Sequence, residues 1–158
     1  MALKPRIVEI EEKHFLGMKM SMSLAQNKTA ELWRSFMPRR KALNSLKPHE
    51  FYSLQIYPTN YFAAFNPNLE FEKWALQEVD KDHASVEGFT RFILEPGLYA
   101  VFEHKGTSTQ IFQDIFSIWL PNSEYTLDQR PHFELLGEKY KNNDDESEEE
   151  IWIPVLRG

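Results

Sequence analysis

Leu32-Trp33-Arg34-Ser35-Phe36-Met37-Pro38 and Ile115-Phe116-Ser117-Ile118-Trp119-Leu120-Pro121 are two helix ends of one design, set 83 residues apart. In each, apolar side chains recur at helical spacing until a proline, which lacks the N–H that the next turn needs, stops or kinks the helix. Upstream of the first stand Asn27, a good capping residue, and the apolar face of Ala30, Trp33, Phe36 and Met37. Upstream of the second, Thr107 and Gln110 have capping-box spacing, and Ile111, Phe112, Ile115, Phe116, Trp119 and Leu120 make one wide apolar stripe.

Working outward, strands flank both helices. Leu16, Met18, Met20 and Met22 alternate with Gly17, Lys19, Ser21 and Ser23, the period of a strand with one face buried. Phe51 to Tyr57 and Phe71 to Val79 are strand-like and are separated by a loop rich in Pro and Asn. In the second half, Phe89 to Leu94 and Tyr99 to His104 are strands broken by the turn Glu95-Pro96-Gly97. His132 to Leu136 follows the helix, and Ile151 to Val155 closes the chain after an acidic loop from Asp144 to Glu150. Each helix thus precedes a strand, an Asn-containing loop and a Trp-bearing strand, Phe71-Glu72-Lys73-Trp74-Ala75 in one half and Glu149-Glu150-Ile151-Trp152-Ile153 in the other. The expectation is an α+β fold of one domain over 1–158. It is built from duplicated β-α-β-β units, about 1–82 and 83–158, with pseudo-two-fold symmetry, an antiparallel sheet and two main helices.

Composition narrows the function classes. The chain has 158 residues, no cysteine and a formal charge of −6. That excludes disulfides, thiolate zinc sites and cysteine nucleophiles. Acidity argues against binding a phosphate backbone, which rests on Lys and Arg displacing counterions. The basic cluster Arg39-Arg40-Lys41 stands where a helix ends and cations complement its dipole. The longest uninterrupted apolar run is about five residues, Leu98 to Phe102, far from the roughly 18 of a membrane span, and Met1 to Lys13 carries no apolar signal core. The expected location is the cytoplasm. Five histidines show no metal-ligand spacing, and no phosphate loop or nucleophile elbow is present, so neither a metal nor a cofactor is expected.

Glu134 interrupts an otherwise apolar strand between Phe133, Leu135 and Leu136. At the 83-residue offset it corresponds to Phe51, on the face of Ser53, Gln55 and Tyr57; Tyr52, Leu54 and Ile56 point the other way. A carboxylate on such a mixed face, walled by Tyr57, Trp74 and Trp152, suits either of two tasks. It can anchor an organic cation by charge and aromatic contact, or serve as a general base or nucleophile once desolvation lifts its pKa. His104 and His132 are candidate neighbours.

Several stretches together resemble the stand-alone GyrI-like small-molecule-binding proteins, relatives of the effector-binding domains of multidrug-responsive transcription regulators. They are Leu32 to Arg40, Phe71 to Ala75, Tyr99-Ala100-Val101-Phe102-Glu103-His104-Lys105-Gly106, Trp119-Leu120-Pro121, Arg130-Pro131-His132-Phe133-Glu134 and Ile151-Trp152-Ile153-Pro154-Val155. The resemblance implies two β-α-β-β units around a ligand cleft, with the family's pocket glutamate at Glu134 and its final-strand aromatic at Trp152. It departs at Leu136, where many members carry tyrosine. What it implies for function is a binder of amphipathic, cationic or electrophilic small molecules, with no direct DNA binding and no membrane partner. The alternatives are a hydrolase that opens strained electrophilic rings with Glu134, and a gyrase-modulating domain acting by protein contact.

Overall fold

The computed structural model describes residues 3–142 and 144–158. The strands are β1 (Arg6–Ile10), β2 (Lys13–Ser23), β3 (Phe51–Ile56), β4 (Glu70–Val79), β5 (Thr90–Leu94), β6 (Gly97–Lys105), β7 (Tyr125–Leu127), β8 (His132–Leu136) and β9 (Glu148–Arg157). Helix α1 (Thr29–Phe36) tightens into a 3₁₀ segment, Met37–Ala42, with Pro38 in its first turn. Helix α2 (Gln110–Asp114) widens into a π turn, Ile115–Trp119, and ends in a last turn, Leu120–Asn122. In the wide turn the Leu120 N–H reaches Ile115 O, five residues back, just before Pro121 removes a donor.

The strands pair antiparallel in the order β1-β6-β9-β8-β3-β4-β2-β5, with β7 beside β9. From the central β3–β8 seam the order runs β3-β4-β2 one way and β8-β9-β6 the other. The outermost strands are exchanged: β1, which precedes β2, pairs with β6, and β5, which precedes β6, pairs with β2. Strand β1 and the short β7 go beyond the strands expected from sequence. The acidic run is only partly a loop, because Glu148–Glu150 opens β9 opposite Lys105, His104 and Glu103.

Both helices lie on one face of the sheet. Leu32 and Phe36 of α1 pack with Ala75, Met18 and Met20, so the alternating methionines form the helix-facing side of β2. Ile115 and its neighbours pack on Ala100, Phe102, Ile151 and Ile153. The other face carries no helix, yet Leu54, Leu76 and Tyr99 are fully buried in it. Val8 and Ile10 of β1 and Phe92 and Leu94 of β5, from opposite edges, join the same cluster, so the sheet curls around its own side chains. Gly17 permits close packing here: a Cβ would stand 2.0 Å from Ala75 O. Both helix starts differ from expectation. The N-cap positions are Lys28 and Thr109, neither of which caps with its side chain; Asn27 Oδ1 accepts from the Thr29 N–H at 2.9 Å and Ser108 Oγ from the Gln110 N–H at 3.1 Å, one residue earlier, while the Thr107 hydroxyl turns to Asp145.

Candidate functional site

Antiparallel register decides which side chains share a face. Ser53 stands opposite Glu134, and Glu134 opposite Ile151, so Glu134 lies on the helix-bearing face, as its correspondence with Phe51 predicts. One row across this face reads Met20, Lys73, Gln55, His132. The next reads Met18, Ala75, Ser53, Glu134, Ile151, Phe102, and His104 lies opposite Glu149 beyond it. The apolar ends of these rows lie under α1 and α2. The polar middle, between the patches that the two helices cover, is an island of Lys73, Gln55, Ser53, His132, Glu134, Glu149 and His104.

Trp74 and Trp152 are not in it. Trp74 stands opposite Leu54 and Trp152 opposite Phe133, one residue out of phase with Glu134, and both belong to the aromatic cluster on the other side. Their indole N–H groups donate to the carboxylates two residues before them, Glu72 at 2.6 Å and Glu150 at 3.1 Å, a matching arrangement in the two halves. The expected aromatic walls at these two positions are therefore corrected: alternation along β4 and β9 points both rings away from the carboxylate.

Glu134 is half-buried, and its Oε2 accepts a 3.0 Å hydrogen bond from the Gln55 amide. Tyr57 does share this region. Its ring meets His132 edge-on at 4.9 Å, and burial followed by the Glu134 charge raises its phenol pKa. Burial pushes the His132 imidazole down to about 3, so the ring is neutral near pH 7. The Glu149 carboxyl is pushed up by burial and by Glu134, against the hydrogen bond and charge of His104, whose Nδ1 lies 3.3 Å from Oε1. Lys73 is 7 % exposed; burial lowers its pKa while Glu134 and Glu149 oppose that shift.

Phe62, on the connection after β3, reaches across to the second helix. Its ring stacks on Phe116 at 5.1 Å and on His132 at 5.3 Å, closing the Tyr57 end of the island. Beside it lies a pocket of about 190 Å³ lined by Tyr57, Tyr61, Phe62, Arg130 and His132 among others. Leu136 supplies no hydroxyl, but Tyr140, four residues on, comes back toward the same carboxylates: burial, then Glu149 and Glu134, raise its pKa. Among the described residues no cluster of three or more His, Asp or Glu is placed to hold a metal ion, and no helix is long and apolar enough to cross a membrane. The cluster Arg39-Arg40 is engaged locally, Arg39 with Glu87 O and the Phe89 ring and Arg40 with Met37 O at the end of the helix.

The family model for the GyrI-like small molecule binding domain matches residues 3–156. The chain belongs to the GyrI-like family. It is 31% identical over 155 residues to the transcriptional regulator BrlR of Pseudomonas aeruginosa, covering 95% of this chain and 54% of BrlR, so it spans about half the length of that regulator. SAV2435 bound to tetraphenylphosphonium has the same fold, at a TM-score of 0.74 and 17% identity, with 98% of this chain and 94% of that one covered. A hydrolase encoded by lin2189 from Listeria innocua shares the fold at a TM-score of 0.61 and 12% identity, covering 97% and 92% of the two chains.

Proposed function

We propose that this GyrI-like chain binds amphipathic, cationic or electrophilic small molecules in the groove between its helices, with Glu134 as polar anchor and Tyr57 as an aromatic wall. The observation that carries the reading is Glu134 itself. It is a half-buried carboxylate at the centre of the helix-bearing face, steadied by Gln55 and without an ion-pair partner among the described residues. A buried carboxylate without a cation is costly, and a ligand cation relieves that cost. Contact of the same cation with Tyr57 or the Phe62–Phe116 pair adds about 0.5–2 kcal/mol. Tetraphenylphosphonium, the ligand of SAV2435, is a suitable first probe.

A hydrolase reading has one observation in its favour. Glu149, raised in pKa by burial and by the Glu134 charge, gives the island a carboxyl that holds a proton more readily than an ordinary glutamate, as the acid of an acid and base pair needs. Opening a strained ring would then use Glu134 as base for an attacking water, or as nucleophile whose ester a water then hydrolyses, with Glu149 delivering a proton to the ring heteroatom as its bond to carbon breaks. The test is incubation with lipophilic cations and strained-ring electrophiles, following Trp fluorescence and product mass together. Saturable quenching without new products supports the binder. Hydrolysed products that vanish in Glu134→Gln establish the enzyme, and silence in both channels defeats both readings.

A further inference from the structure

We propose that Lys73 is a second anchor in the same groove, and that the natural ligand carries an anionic group, such as a carboxylate, beside the cationic or electrophilic part that meets Glu134. The inference rests on the binding reading above and names the ligand class more narrowly. Lys73 sits at the centre of β4, opposite Met20 on one side and Gln55 on the other, and is 7 % exposed. Gln55 is the residue that holds Glu134, so the ammonium and the carboxylate flank one amide on adjacent rows. Strand β3 lies between their strands, which sets the two backbones roughly 10 Å apart.

Burying an ammonium is costly unless it is paired. The inward-facing Arg130 is paired: its Nε binds Asp128 and its Nη2 the carbonyls of Leu98 and Val155, although its Nη1 is buried without a partner. Lys73 forms no ion pair within 4.0 Å and no side-chain hydrogen bond among the described residues. Glu134 and Glu149 hold it toward the charged state at longer range, against burial. A simple monocation drawn to Glu134 would sit close to this ammonium and be repelled by it. A ligand with both charges satisfies Glu134 and Lys73 together, and one that lacks the acid leaves the Lys73 ammonium without an acceptor in the protein, which is how sites of this kind discriminate.

Two xanthene dyes differ only in the required feature: rhodamine 110, a zwitterion with a free carboxylate, and rhodamine 123, its cationic methyl ester. Fluorescence anisotropy on the full chain is expected to show rhodamine 110 binding at least about tenfold tighter than rhodamine 123, the scale of one charge-assisted hydrogen bond. Lys73→Met, checked for folding by circular dichroism, is expected to remove that preference by weakening the acid while the ester binds as well or better, and Lys73→Arg to keep part of it. Equal affinity for the two dyes overturns the inference, as does an equal loss of both in Lys73→Met. A wild type that takes tetraphenylphosphonium but gains nothing from the dye carboxylate overturns this inference alone. A wild type that takes none of the three overturns the binding reading with it.

Discussion

The two faces of the sheet share every strand and differ in almost everything else. On the curled face, Tyr52, Leu54, Trp74, Tyr99 and Phe133 pack into one aromatic cluster, and the Tyr99 hydroxyl is satisfied by Pro131 O at 2.8 Å. On the helix face, the apolar contacts divide into two patches, one under each helix, and the strip between them holds acids, amides, imidazoles and a lysine. Phe133 and Glu134 are neighbours in β8 and face these two environments. Stability is concentrated on one side of the strand and chemistry on the other, so adjacent substitutions should separate the two properties.

The largest effect is expected at Phe133→Ala. Its ring touches Tyr52, Tyr99 and Trp152, and truncating a buried phenylalanine typically costs about 3–5 kcal/mol. Urea unfolding should show that loss, while the folded fraction still binds ligand at wild-type affinity. A loss of affinity in fully folded protein would mean that the two faces are not independent.

A smaller effect is expected from His132, which is on the chemical side but buried. Its folded pKa is depressed to about 3, so the stability it contributes is present above pH 6.5 and is lost as pH falls toward the folded value. At about 1.4 kcal/mol per pH unit, the wild type should lose about 2 kcal/mol between pH 6.5 and pH 5 from this group. Glu149, whose pKa is raised, acts in the opposite sense on acidification, so the comparison must be made between wild type and His132→Phe, in which the histidine part of the slope is absent. Parallel slopes for the two proteins would contradict the assignment.

The smallest effect on binding is expected at the tryptophans. Trp74→Phe and Trp152→Phe should leave ligand affinity within about twofold, because a ring on the far face can act only through the sheet. A tenfold change in either would put the ligand on the wrong side.

Much of this division is legible in the amino-acid sequence. Leu16, Met18, Met20 and Met22 show a clean alternation, and the structure turns all four toward α1's side of the sheet. Glu134 is placed on the face of Ser53 and Gln55 by internal correspondence alone. The tryptophans are misread because β4 and β9 are buried on both faces. Trp74 to Leu76 and Ile151 to Val155 are apolar at successive positions, so no alternation remains to say which side each residue takes. Lys73 escapes notice for a related reason: in Phe71-Glu72-Lys73-Trp74 an adjacent pair of opposite charges looks like a solvated edge, and only pairing to Met20 and Gln55 turns it inward. Glu148 to Glu150 reads as part of an acidic loop because the partners that make it a strand, Lys105 and His104 among them, lie in β6. Strand β1 pairs across the whole molecule with β6, a contact that no local pattern announces.

The most direct test of a helix-face site is the affinity of one aromatic cation, tetraphenylphosphonium, for Glu134→Gln relative to wild type, measured by titration calorimetry with the urea midpoint of each protein in hand. Affinity at least about tenfold weaker, with an unchanged midpoint, is the predicted result. Wild-type affinity in the variant would contradict the account, because the charge at the centre of the island would then have no part in holding the ligand.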